Sequence, residues 1–124
     1  MENSSIISVL IADDEEGIRD IISFYLESEG YKFYTAKNGV EAFEIVTKNK
    51  IDFIISDIRM PGGDGLSLLD NVRKYNPEVP FVVFITGYSD VTEQDCIKKG
   101  ALHVFRKPFD VEAIMQYIKE TFRK

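Results

Sequence analysis

An α/β fold is predicted: a doubly wound parallel sheet of five strands in the order 2-1-3-4-5, with five helices. Three observations predict it. Five short apolar runs alternate with five polar, helix-periodic segments. The runs are mostly rich in Ile, Val and Phe, residues that fit strands better than helices. Three of the runs are nearly continuous in apolar residues, the pattern of parallel strands covered on both faces.

Residues 6–12 form the first run. Ile18, Ile21, Ile22, Tyr25 and Leu26 then follow helical spacing, and Gly30 is a stop for that helix. Residues 33–36 are the second strand. Val40, Phe43 and Val46 mark a second helix, whose stripe is narrow because Thr47 stands where an apolar residue would widen it. Residues 51–56 are the third strand, and the turn Pro61-Gly62-Gly63-Asp64-Gly65 leads into a helix carrying Leu66, Leu68, Leu69 and Val72. Residues 81–86 are the fourth strand. Ser89 or Asp90 can cap a short fourth helix ending near Gly100, with only Val91, Cys96 and Ile97 on its stripe. Residues 101–105 are the fifth strand. Asp110 can cap a last helix carrying Val111, Ile114, Met115, Ile118 and Phe122. Right-handed crossovers with helices on both faces leave two common strand orders, and five strands in a chain of 124 residues suit the flavodoxin-like one.

The length fits one domain, residues 1–124, with about residues 1–5 as a flexible N-terminus. A chain of this size buries roughly 68% of its unfolded surface, so one core suffices without staples. The net charge of −6 repels phosphate backbones, which argues against direct nucleic-acid binding. Cys96 is the single cysteine, so an intramolecular disulfide and a cysteine metal cluster are excluded. No signal peptide and no run of ~20 apolar residues is present, so no membrane partner is expected and a cytoplasmic location is.

In such a sheet, ligands bind beyond the carboxyl ends of the strands, at the switch point between strands 1 and 3. Asp13 and Asp14 follow strand 1, Asp57 ends strand 3, Thr86 ends strand 4 and Lys107 lies just past strand 5. Strand 2 points away from the crevice and ends in Ala36, which carries no chemistry. Singly, each polar residue has a plainer reading. The paired acids suit a helix N-terminus, Asp57 suits a turn, Thr86 is an ordinary strand-end hydroxyl and Lys107 a surface lysine. Their common placement favours one site. Three crowded carboxylates repel one another and raise each other's pKa, a conflict that a divalent cation removes. Oxygen-only ligands suit Mg²⁺, which keeps waters and accepts phosphate oxygens. A carboxylate can act as the nucleophile in phosphoryl transfer, while the metal and a lysine offset charge on the transferred group.

Four motifs run in order along the chain: Ile11-Ala12-Asp13-Asp14-Glu15, Ser56-Asp57-Ile58-Arg59-Met60-Pro61-Gly62-Gly63-Asp64-Gly65, Ile85-Thr86-Gly87 and Lys107-Pro108-Phe109. With them the chain resembles the receiver domains of two-component response regulators. Residues 60–69 and 86–90 look nearest to nitrogen-regulation-class receivers. The resemblance implies that Asp57 is phosphorylated by a sensor histidine kinase or a histidine phosphotransfer protein. It implies that Asp14 and Asp57 bind Mg²⁺ directly, Asp13 mainly through water, and the backbone carbonyl of Arg59 completes the set. Lys107 would pair with the phosphoryl group, and its bond to Pro108 is often cis in the family. Thr86 would swing toward the phosphate and carry the change to the face formed by helix 4, strand 5 and helix 5, with Gly87 leaving room. A monomer or weak dimer with an unknown downstream target is expected. One departure stands out: Val104 occupies the position, three residues before the lysine, where the family usually has a switching Tyr or Phe. Arg59 and Tyr88 fall where the family flanks the path of the attacking water, and their bulk predicts slow self-dephosphorylation.

Other functions fit less well. A haloacid-dehalogenase-type phosphohydrolase needs an acid two residues after the nucleophile, where this chain has Arg59. A flavin carrier needs an anion-friendly first loop, and Asp13-Asp14-Glu15-Glu16 repels phosphate. A degenerate, unphosphorylated protein-binding receiver is the remaining alternative, opposed by the intact acid, hydroxyl and lysine set.

Overall fold

The computed structural model describes residues 6–87 and 92–123. Elements alternate strictly: β1 (Ser8–Ala12), α1 (Glu16–Ser28), β2 (Lys32–Ala36), α2 (Gly39–Lys48), β3 (Phe53–Asp57), α3 (Gly65–Tyr75), β4 (Phe81–Thr86), α4 (Glu93–Lys98), β5 (His103–Arg106) and α5 (Val111–Thr121). All strand pairs are parallel and the order is β2-β1-β3-β4-β5, as predicted. The expected flexible stretch at residues 1–5, and Ser89, Asp90 and Val91, lie outside the described residues.

Strands β1 and β3 are buried along their whole length, and β4 along all but its first residue. That is why these three runs carry almost no polar residues: both faces meet helices. On one face Leu10, Ile54, Val82, Phe84 and Val104 pack with Leu68, Leu69 and Val72 of α3 and Cys96 of α4. On the other, Val9, Ile11, Phe53, Ile55, Val83 and Ile85 pack with Ile22 and Leu26 of α1 and Ile114 and Ile118 of α5. Fully burying each such side chain contributes about 1.5–3 kcal/mol before chain entropy is counted. The edge strands β2 and β5 are partly exposed, and their sequences are correspondingly mixed.

Three side chains depart from the predicted stripes. Val40 is 63% exposed, and α2 turns Ala42 and Val46 inward instead. The cause is Gly39, whose N–H donates to the Gly63 carbonyl at 2.7 Å. A β-carbon on Gly39 would stand 2.8 Å from the Asp64 carbonyl oxygen, so this end of α2 lies against the loop before α3 and Val40 rotates outward. Ile21 and Ile97 are also exposed, so α1 rests on Ile22 and Leu26 and α4 on Cys96. The cap of α4 is Thr92, whose hydroxyl accepts from the Asp95 N–H at 3.1 Å, rather than Ser89 or Asp90. Asp110 caps α5 as expected, through the Glu112 N–H.

Candidate functional site

Strand register decides which side chains meet. Ala12 pairs with Ser56, Asp57 with Ile85, and Thr86 with Arg106. Side chains alternate faces along a strand. Asp13, Asp57 and Lys107 therefore continue the rows of Ile11, Ile55 and Phe105, all on the α1/α5 face. Thr86 continues the row of Val82 and Phe84, on the α2/α3/α4 face.

The α1/α5 row converges as predicted. Lys107 Nζ donates to Asp57 Oδ2 at 2.9 Å and to Asp13 Oδ2 at 3.4 Å. The Lys107 backbone is fixed by its N–H bond to the Thr86 carbonyl at 2.8 Å, and the Lys107–Pro108 peptide is cis. Asp57 Oδ1 accepts from the Ile58 N–H at 2.7 Å. Asp13 Oδ1 accepts from the Glu15 N–H at 2.9 Å. Each buried carboxylate thus holds at least one N–H, as a charged group in a dry site must.

Gly65 lets the chain close tightly behind Asp57. Its N–H donates to the Ile58 carbonyl at 2.7 Å, and a β-carbon there would overlap the Asp57 carbonyl oxygen and stand 2.9 Å from the Phe84 ring. Only a residue without a side chain allows α3 to begin this close to the end of β3. Gly87 is less constrained: a β-carbon would meet the Lys107 stem at an ordinary 3.8 Å.

Asp13 is fully buried, Asp57 nearly so, and Asp14 exposed. One carboxylate oxygen from each of Asp13, Asp14 and Asp57 lies within 4.8 Å of the others. Burial raises the Asp13 pKa, and the Asp57 charge adds to the rise against the Glu15 N–H and Lys107. Burial pulls the Lys107 pKa down, but the hydrogen bond to Asp57 and the charges of Asp13, Asp57 and Glu15 more than reverse it, so the net shift is upward. Crowded, partly desolvated oxygen donors of this kind fit a hard divalent cation such as Mg²⁺.

An open cleft exposes the site, lined by Asp14, Glu15, Asp57, Arg59, Gly87 and Lys107. Thr86 is fully buried and does not line it. Arg59 reaches the cleft beside Asp14, whereas Tyr88 lies outside the described residues. Val104 is buried in the α2/α3/α4 core, so no aromatic ring stands at that position. The aromatic group lies instead on the opposite face, where His103 stacks on Tyr117 at 5.1 Å and meets Phe105 edge-on at 4.6 Å. Glu15, not among the site residues expected from the sequence, also belongs here: its carboxylate is 3.6 Å from Lys107 Nζ. A third acid directly after the Asp13-Asp14 pair was the available signal.

Residues 9–119 match the family model described as the response regulator receiver domain. The chain is 34% identical over 113 residues to sporulation initiation phosphotransferase F of Bacillus subtilis, covering 90% of each protein. It is 36% identical over 118 residues to an NtrX-like response regulator of Rickettsia bellii and 30% over 117 to transcriptional regulatory protein GlrR of Escherichia coli. It spans only 24% and 26% of those two proteins. Among solved structures, a beryllofluoride-activated NtrC4 receiver domain dimer is 40% identical, with a TM-score of 0.85 over 93% of this chain and 95% of that one. A CheX–CheY–BeF3–Mg complex from Borrelia burgdorferi is 30% identical, with a TM-score of 0.87 over 95% of this chain and 90% of that one. The chain belongs to the family of response regulator receiver domains, the signalling modules of two-component systems.

Proposed function

We propose that Asp57 accepts a phosphoryl group from the phosphohistidine of a sensor histidine kinase or histidine phosphotransfer protein, in a Mg²⁺-dependent reaction. The observation that carries this reading is the placement of one nucleophilic carboxylate, Asp57, beside both a lysine ammonium and two further acids. An Asp57 oxygen attacks phosphorus; the new P–O bond forms as the P–N bond breaks, and the imidazole leaves with the electron pair. Asp13, Asp14, Asp57 and the Arg59 carbonyl would hold Mg²⁺, which when bound offsets carboxylate charge and accepts phosphoryl oxygens. Lys107 gives its ammonium to the phosphoryl oxygens in a partly desolvated site. Thr86, buried on the other face, would then swing its hydroxyl toward the new group and by that movement carry the change to the α4–β5–α5 face, without an aromatic at Val104. The same reading makes residues 1–124 a single receiver domain, cytoplasmic, a monomer or weak dimer, and not a direct nucleic-acid or membrane binder. The test is incubation with acetyl phosphate with and without Mg²⁺, read by intact mass. One added phosphoryl group, only with Mg²⁺ and not on Asp57→Asn, is expected; labelling of Asp57→Asn at the wild-type rate contradicts the assignment.

A further inference from the structure

Glu15 occupies the N-cap of α1, yet its side chain makes no cap hydrogen bond. The other four helices are each capped by a side-chain oxygen, from Asn38, Asp64, Thr92 and Asp110. Glutamate is not a preferred cap residue, so helix initiation does not account for it. Its backbone is nonetheless pinned. The Glu15 N–H donates to Asp13 Oδ1, and its carbonyl accepts from the N–H groups of Ile18 and Arg19, both at 3.2 Å. The side chain extends into the cleft and places Oε1 3.6 Å from Lys107 Nζ, with 62% of the side chain exposed.

Glu15 stands outside the trio of acids that can hold a metal. It adds a fourth carboxylate to the trio at the site, and among the described residues the cations lining the cleft are Lys107 and Arg59. With one divalent cation added, the six groups sum to about zero, so an arriving phosphoryl dianion finds no excess positive charge. Without Glu15 the same cleft would be positive, and Lys107 would be shared by fewer acids. We propose that Glu15 is a charge brake on this site: it competes for Lys107 and lowers the affinity of the cleft for phosphoryl-like anions. This rests on the reading that Asp57 accepts a phosphoryl group.

The probe is beryllofluoride, titrated into the Mg²⁺-saturated protein and followed by amide NMR shifts at low and high salt. Glu15→Gln binds it about 2- to 5-fold more tightly than wild type, the range for one partly screened charge pair, and Glu15→Asp retains the wild-type affinity. The gap narrows as salt rises. Mg²⁺ binding to the metal-free protein shifts the opposite way, weaker in Glu15→Gln by a similar factor, because one charge acts with opposite signs on a cation and an anion. Unchanged or weaker beryllofluoride binding in Glu15→Gln overturns the brake, and weaker binding makes Glu15 a positioning residue for Lys107. A wild-type protein that forms no beryllofluoride complex at Asp57 overturns both the brake and the reading beneath it.

Discussion

Lys107 Nζ lies 2.9 Å from Asp57 Oδ2, across strand β4 and 50 residues of chain. Both side chains continue the same face of the sheet beyond its carboxyl edge, and the lysine stem covers the gap. Burial alone would depress the lysine pKa; the carboxylates around it reverse the sign.

That reversal fixes a pH dependence. The folded-state pKa of Lys107 is raised above the ordinary 10.5. Its contribution to stability is therefore fully present below that value and is lost as pH rises through the higher folded value. Denaturant unfolding of metal-free protein tests this from neutral into strongly alkaline solution. Wild type exceeds Lys107→Met in stability at the lower end, and the difference shrinks at the upper end. A difference independent of pH contradicts the assignment.

Two glycines respond oppositely to alanine. Gly65→Ala destabilises by about 1–3 kcal/mol, as overpacking does, because the β-carbon would overlap the Asp57 carbonyl. Gly17→Ala in α1 meets no atom within 4 Å and stabilises by about 0.5–1 kcal/mol through helix propensity. Urea midpoints of the two variants decide it.

How far the sequence revealed the molecule depends on which force set each feature. The buried strands were legible because burial on both faces leaves near-continuous apolar runs, and the site because sheet topology gathers strand ends. The outward turn of Val40 was hidden, since it depends on Gly39 meeting the backbone of a loop distant in sequence. Periodicity finds a stripe but not a tertiary contact that rotates it. Thr86 illustrates a further gap: it ends its strand as predicted, yet alternation turns it to the face opposite Asp57 and burial keeps it out of the cleft. The Glu15–Lys107 pair was only half legible: the run of acids shows Glu15, but its partner follows the edge strand β5, three strands away from β1.

Thr86→Ala separates phosphorylation from its consequence. The hydroxyl is buried and faces the α4 side, so its loss costs about 1–2 kcal/mol of stability without removing the acids or the lysine. Amide NMR spectra with beryllofluoride and Mg²⁺ provide the check. Shifts around Asp57 persist in the variant, while those in α4 and β5 fall to less than about half of wild type, a loss of coupling of order 0.5–2 kcal/mol. Full wild-type shifts in α4 and β5 exclude this role for Thr86.

Arg59 lines the cleft that exposes Asp57, and the proposed phosphoacceptor role makes this cleft the approach for a hydrolytic water. It is bulky and offers no hydrogen-bond acceptor to orient that water, and positioning supplies most of the catalysis in phosphoryl transfer. Slow phosphate release from the phosphoprotein is therefore expected, with Arg59→Asn accelerating it by about tenfold, equivalent to ~1.4 kcal/mol of barrier. Release followed by a colorimetric phosphate assay gives the rate. An unchanged rate in the variant removes Arg59 from the path of the water.

Locating the acyl phosphate in the chain decides whether Asp57 is the phosphoacceptor. The protein is phosphorylated with Mg²⁺ present, reduced with borohydride to convert the modified aspartate to homoserine, and digested for peptide mass spectrometry. Homoserine is expected at position 57 alone, and not when Mg²⁺ is chelated. Homoserine at position 13 or 14, or none at position 57 in protein that carries the phosphoryl mass, would contradict that role for Asp57.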